Sequence, residues 1–222
     1  MIVAKGKPLE EIIEAVKDCD SILVAGCNEC VTVCEAGGSK EVGILASALR
    51  LYFLNQGKKT QVGEITLQRQ CDREYLIQAR EAVEPYKMVV SLACGVGCQF
   101  MAEEFATMPV QPGVNTMFMG GALERGVWSE RCQGCGSCLL ASTGGICPVS
   151  RCAKRVLNGP CGGSSNGKCE ISKDVDCAWQ LIINRLKALG RMDDYEKIMP
   201  LKDWSSDRAG GPRTVVKEEV RQ

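Results

Sequence analysis

Between residues 132 and 177 the chain carries Cys132, Cys135, Cys138, Cys147, Cys152, Cys161, Cys169 and Cys177 among closely spaced glycines, and no long apolar period runs through the stretch. A segment of that kind cannot build a stable core by burial alone, so ligands must staple it. The 222-residue chain has 15 cysteines and no histidine. The missing imidazole excludes Ser-His-Asp and Cys-His catalysis, His-ligated zinc, Rieske centres and proximal-His haem. Sulfur is the reactive side chain that remains.

No signal-peptide pattern or membrane-length apolar run is visible, which leads us to expect a cytoplasmic protein without membrane insertion. In a reducing compartment disulfides are rare, so the thiols are read as metal ligands, redox centres or small buried hydrophobes. Cys19, alone among polar neighbours, suits the last description. A formal net charge of zero and a pI near 6.4 give no basic face to neutralise phosphates, so nucleic acid is not an expected partner.

The first half of the chain alternates helical and strand patterns. Residues 8–17 read as an amphipathic helix with Pro8 in its first turn. The apolar run 21–26 has the composition of a parallel strand covered on both faces. Helices are expected at 41–54 and 72–83, strands at 61–67 and 88–93, and a further strand at 115–119. The fold class this implies is α/β: a mainly parallel, Rossmann-like or flavodoxin-like sheet lobe, then a small Cys-rich iron-sulfur module and a C-terminal helix. The expected divisions are 1–126 for the lobe, 127–190 for the module, which ends in a helix over 177–189 stopped by Gly190, and 191–222 for a polar tail that lies extended from Trp204 onward.

Eight thiols make two sets of four. The run Cys132-x2-Cys135-x2-Cys138 suits a cubane iron-sulfur cluster: it wraps three thiolates round one cube and leaves backbone N–H groups for the sulfides, while the fourth ligand comes from further along. Cys147-Pro148 is able to serve either set, and Cys152, Cys161, Cys169 and Cys177 follow no regular spacing. Tetrahedral zinc is the competing chemistry, although zinc ribbons use separated C-x2-C knuckles. In the first lobe Cys27, Cys30, Cys34, Cys71, Cys94 and Cys98 all follow expected strands. The carboxyl edge of a parallel sheet is where ligands bind, so Cys27, Cys30 and Cys34 with Cys71 or Cys94 are expected to form a third cluster or a zinc site, with Cys98 in an adjoining turn. The bland alternative is that these are small residues at a crowded edge.

Gly95-Val96-Gly97 lacks the third glycine of a dinucleotide fingerprint, and Gly37-Gly38-Ser39-Lys40 lacks P-loop spacing and is read as the start of a helix. Glu103-Glu104 and Asp193-Asp194 are read as solvated faces, and Trp179, Ile182, Ile183 and Leu186 as core of the small lobe.

The stretch 132–138, then 143–148, Asn158-Gly159-Pro160-Cys161-Gly162-Gly163, and Lys168-Cys169-Glu170 through Cys177-Ala178-Trp179, resembles the MetV family, the small iron-sulfur subunits of acetogen-type methylenetetrahydrofolate reductases. Gly26-Cys27 and 37–41 extend the resemblance to most of the chain up to about residue 200. The resemblance implies a heteromeric enzyme. A separate (β/α)8 subunit would hold a flavin and reduce 5,10-methylenetetrahydrofolate to 5-methyltetrahydrofolate, and this chain would pass it electrons through [4Fe-4S] clusters from ferredoxin or further redox subunits. The alternative is a zinc-stapled assembly subunit that holds the catalytic subunit and recruits other redox subunits.

Overall fold

The computed structural model describes residues 1–207 and 211–221, in two compact units, Met1–Ser129 and Glu130–Gln222. In chain order the first contains β1 (Ile2–Gly6), α1 (Leu9–Val16), β2 (Ser21–Cys27), α2 (Cys30–Val33), α3 (Ser39–Asn55), β3 (Gln61–Leu67), α4 (Arg73–Gln78), α5 (Arg80–Val83), β4 (Met88–Ser91), α6 (Gly95–Glu104), β5 (Val110–Pro112), β6 (Val114–Glu124) and β7 (Val127–Cys132), whose last residues open the second unit. The second unit adds α7 (Pro148–Arg151), α8 (Ala178–Ala188) and α9 (Met192–Glu196).

The expected α/β lobe is present, built on a four-stranded parallel sheet in the order β3-β2-β4-β5. Every residue of β2 is buried, as a central strand requires. Its side chains alternate between two cores. Ile22 and Val24 pack with Val16 of α1 and Val42, Leu49 and Phe53 of α3, whereas Leu23 and Ala25 pack with Leu76, Val83 and Met101 from α4, α5 and α6. Each large side chain withdrawn from water here contributes about 2 kcal/mol before entropy is counted. The layers are thus helix, sheet, helix.

Several expected elements are shifted. Pro8 precedes α1 as its N-cap. The expected helix over 72–83 is two short helices meeting at Ala79, whose N–H is shared between the Tyr75 and Leu76 carbonyls at 3.2 Å each. The strand expected at 115–119 lies inside the longer β6, which pairs antiparallel with β1 in a separate sheet of order β1-β6-β7. The edge strands of the parallel sheet are β3 and the short β5.

Glycines adjust the sheet edge. Gly38 begins α3, with its N–H donating to the Glu41 carboxylate at 2.9 Å, so 37–40 is a helix start as expected. A Cβ on Gly37 would run into the Leu92 carbonyl, so only glycine permits that approach. Gly95 and Gly97 lie in the first turns of α6. The Gly95 N–H is taken by the Thr116 hydroxyl at 2.8 Å and Gly97 packs against Ala93 and Gln70, which makes this a helix-packing turn.

In the second unit α8 supplies the buried core through Trp179, Ile182 and Leu186. Cys177 is its N-cap, and Gly190 at φ 66° ends it, with the Arg191 N–H donating back to Leu186 O at 2.9 Å. Glu104 departs from the solvated reading: its carboxylate pairs with Arg73 at 2.8 Å and with Arg80, and its side chain is only 6% exposed. Residues Trp204–Asp207 form a turn, and residues 208–210 and 222 of the expected extended tail lie outside the described residues. No described helix is long and apolar enough to cross a membrane.

Candidate metal centres

In the first unit the thiols collect where the parallel strands end. Cys27 closes β2 in register with Leu67, the last residue of β3. The Thr32 hydroxyl donates to Cys27 O at 2.7 Å and so folds α2, which begins at Cys30, back over the strand end. Gln70 ties the neighbouring ends together. Its side-chain amide donates to Ala25 O and Gly26 O at 2.9 Å each, and its carbonyl accepts from the Ser91 hydroxyl at 2.7 Å. Ser91 Oγ in turn accepts from Ala93 N–H at 3.3 Å. Three of the clamped residues are followed directly by a cysteine: Gly26 by Cys27, Gln70 by Cys71, Ala93 by Cys94.

Electrostatics report the same neighbourhood. Burial pushes the Cys71 thiol up, and the nearby sulfurs of Cys27, Cys94 and Cys30 push it further. Cys98, one turn along α6 from Cys94, is also raised, chiefly by burial, with the Ser91 hydroxyl opposing. The structure therefore brings Cys27, Cys30, Cys71 and Cys94 to one edge. Cys34 is placed differently. At 6% exposure it belongs to the apolar core, its sulfur accepts from Ala4 N–H at 3.4 Å, and burial pushes its thiol up. The turn of α2 that presents Cys30 at the edge leaves Cys34 beneath β1.

In the second unit Cys152, Cys161, Cys169 and Cys177 border a single cavity of about 20 Å³, with Arg151 and Trp179 also in its wall. Local backbone bonds deliver these thiols from separate loops. Cys169 N–H donates to Val175 O at 2.9 Å and Cys177 N–H to Gly167 O at 2.8 Å. Gly162 at φ 81° and Gly167 at φ 77° supply the turns between them. Glu170, beside Cys169, forms an ion pair with Lys154. Burial and the Arg131 charge hold the Arg151 guanidinium below its ordinary value.

Cys132, Cys135 and Cys138 lie on the loop that leaves β7, and Cys147 caps α7 directly ahead of Pro148. Gly134 at φ 64° turns its N–H onto the Cys132 sulfur at 3.3 Å, the N–H···S contact that a thiolate-wrapping loop needs. Thus the structure sets the irregular four round one cavity, and Cys147 is not among the residues that border it. Among the described residues no three Cys, Asp or Glu side chains converge closely enough to hold a metal ion as they stand. The donor set itself, four thiols at one cavity and three on one glycine-turned loop, fits a thiolate-ligated centre chemically.

Residues 111–205 match the family model described as Methylene-tetrahydrofolate reductase C terminal. The matched segment contains all eight thiols of the second unit and ends beyond Trp204, while the first-unit cysteines lie outside it. No curated protein and no solved structure matches the chain.

Proposed function

We propose that the chain is a MetV-type electron-transfer subunit of a heteromeric methylenetetrahydrofolate reductase. The observation that carries this reading is the coincidence of two facts: the segment similar to the reductase C-terminal family contains eight thiols, and four of them border one cavity. Cys132, Cys135, Cys138 and Cys147 would hold one [4Fe-4S] cluster, and Cys152, Cys161, Cys169 and Cys177 a second. Clusters bound there supply one-electron transfer toward a flavin on a separate (β/α)8 catalytic subunit that reduces 5,10-methylenetetrahydrofolate to 5-methyltetrahydrofolate. The donor is ferredoxin or a further redox subunit. This chain's own residues bind and shape: Gly134 N–H supports the Cys132 sulfur, and Trp179, 5% exposed, shields one wall of the cavity from water.

At the sheet edge of the first unit we assign Cys27, Cys30, Cys71 and Cys94 as the donor set of a third centre. Both Cys71 and Cys94 are included because the Cys27, Cys94 and Cys30 sulfurs all act on Cys71, and Cys34 is left out because its sulfur already accepts from Ala4 N–H.

One observation favours zinc at Cys152, Cys161, Cys169 and Cys177. The cavity they border, about 20 Å³, has the size of a water or a single ion, and Zn–S bonds of about 2.3 Å need little more. Zinc there would staple the unit and serve assembly, with iron confined to the other sites.

The test is anaerobic purification of the full chain followed by iron, sulfide and zinc analysis, repeated on Cys135→Ser, Cys169→Ser and Cys71→Ser. About twelve irons per chain, falling by about four in each variant, matches three cubanes. One zinc lost only in Cys169→Ser assigns zinc to the second set. Negligible iron throughout ends the electron-transfer reading.

A further inference from the structure

Lys202 is only 8% exposed, and its ammonium is committed to backbone. It donates to Ser137 O at 2.6 Å and to Cys135 O and Asp203 O at 3.3 Å each, and it lies 4.8 Å from the centroid of the Trp204 ring. Three donors meeting three carbonyls satisfy the hydrogen bonding of the group, and its charge is faced by the Trp204 ring and by the Asp203 carboxylate, which it attracts without forming an ion pair. Among the described residues no carboxylate is within ion-pair distance of Lys202 Nζ, and the adjacent Asp203 carboxylate accepts instead from Ser205 N–H at 2.8 Å. A buried ammonium without an anion is strongly unfavourable. A further anion beside the ammonium would offset the cost of burying it.

The loop that Lys202 grips is the one carrying Cys132, Cys135 and Cys138, and a second residue of the same segment grips it too. Ser206 Oγ donates to Cys135 O at 3.2 Å and accepts from Ser137 N–H at 3.3 Å. Gly136, at φ 77°, has no room for a Cβ because the Ser206 side chain occupies that space. In a planar trans peptide the N–H points opposite to the C=O. Drawing the Cys135 and Ser137 carbonyls toward Lys202 therefore turns the Gly136 and Cys138 N–H groups to the loop's other side. Those are donors of the kind that stabilise thiolate and sulfide.

We propose that Lys202 is the built-in counter-charge of an anionic metal centre on the 132–138 loop, and that segment 202–206 fixes the loop's hydrogen bonds and thereby sets that centre's reduction potential. This rests on the reading of that loop as an iron-sulfur site. Thiolates around an iron-sulfur core carry net negative charge, which grows by one on reduction, so a fixed cation beside it favours the reduced state and raises the potential. Lys202 acts through the loop and its field, as a tuning and positioning residue.

The experiment is an EPR-monitored redox titration of the full chain, purified anaerobically, for the natural sequence and for Lys202→Met, Lys202→Arg and Ser206→Ala. Lys202→Met should move the midpoint of one cluster to more negative potential with altered g-values and leave the other signals in place. Lys202→Arg should restore it, and Ser206→Ala should shift it the same way by less. If Lys202→Met fails to load that cluster, retention in Lys202→Arg supports the charge requirement, and loss in both overturns it. Equal iron content with unchanged midpoints in Lys202→Met overturns the inference while leaving the iron-sulfur reading intact. A natural chain that binds no iron overturns that reading first.

Discussion

The hydroxyl of Ser91 donates to the side-chain carbonyl of Gln70 at 2.7 Å, and both residues are wholly shut off from solvent. Because the Gln70 amide also reaches Ala25 O and Gly26 O, one side chain bridges the end of β2, the loop after β3 and the end of β4.

Gln70→Leu keeps the volume but removes the acceptor of the Ser91 hydroxyl and one donor from each of two strand-end carbonyls, of which Ala25 O keeps the Leu92 N–H at 2.8 Å. A buried polar group left without a partner costs about 1–3 kcal/mol, so a loss of about that size is expected. Urea denaturation of the purified chain reads it. An unshifted midpoint would mean that the clamp does not hold the edge together.

The second unit should depend on its ligands in a way the first does not. Its buried apolar cluster among the described residues is small, Trp179, Ile182 and Leu186 with Val149 and Ala178 also buried, whereas the sheet unit buries two extensive layers. Where a small core is stapled by metal, binding free energy is folding free energy. Removing metal with a strong chelator should therefore expose the chain beyond Ser129 to protease and leave a resistant fragment of about the first unit. Equal protection of both units after complete metal removal would contradict the idea.

Acid should weaken the sheet unit through Glu104. The hydrogen bond from Arg73 lowers the carboxyl from its ordinary value of 4.5, the charges of Arg73 and Arg80 add to this, and desolvation opposes it. A depressed folded-state value means the contribution is fully present above pH 4.5 and is lost as pH falls through the folded-state value. The stability difference between the natural chain and Glu104→Gln should be constant from pH 7 to about 5 and shrink below that, and it should be smaller in 1 M salt. Thermal midpoints across that range measure it, and a difference that grows toward acid would reverse the sign of the argument.

What could be seen beforehand at the sheet edge follows from local rules. The apolar run over 21–26 marked a central strand, and the cysteines after the first three parallel strands marked a carboxyl edge, because both signals reside in a few adjacent residues. Cys34 shows the limit. Its spacing from Cys30 looked like ligand spacing, yet at the C-terminal end of α2 its sulfur is taken up by the Ala4 N–H. Likewise, 115–119 carried a strand pattern but nothing to say that its partner would be β1, from the far end of the chain.

The grouping of the second-unit thiols was equally invisible, since Cys152, Cys161, Cys169 and Cys177 come from loops with no shared period. Nor did the polar segment 202–206 announce itself. A lysine in a hydrophilic stretch reads as solvated until the fold closes carbonyls around it. Composition and periodicity alone determined that the chain is rich in thiols, that it has no imidazole, and that an α/β lobe leads it. Which thiols share a sheet edge or border one cavity, and which lysine closes on the 132–138 loop, was decided by tertiary structure. Contacts between residues far apart in sequence depend on how loops close, and that free energy is not written in any local window.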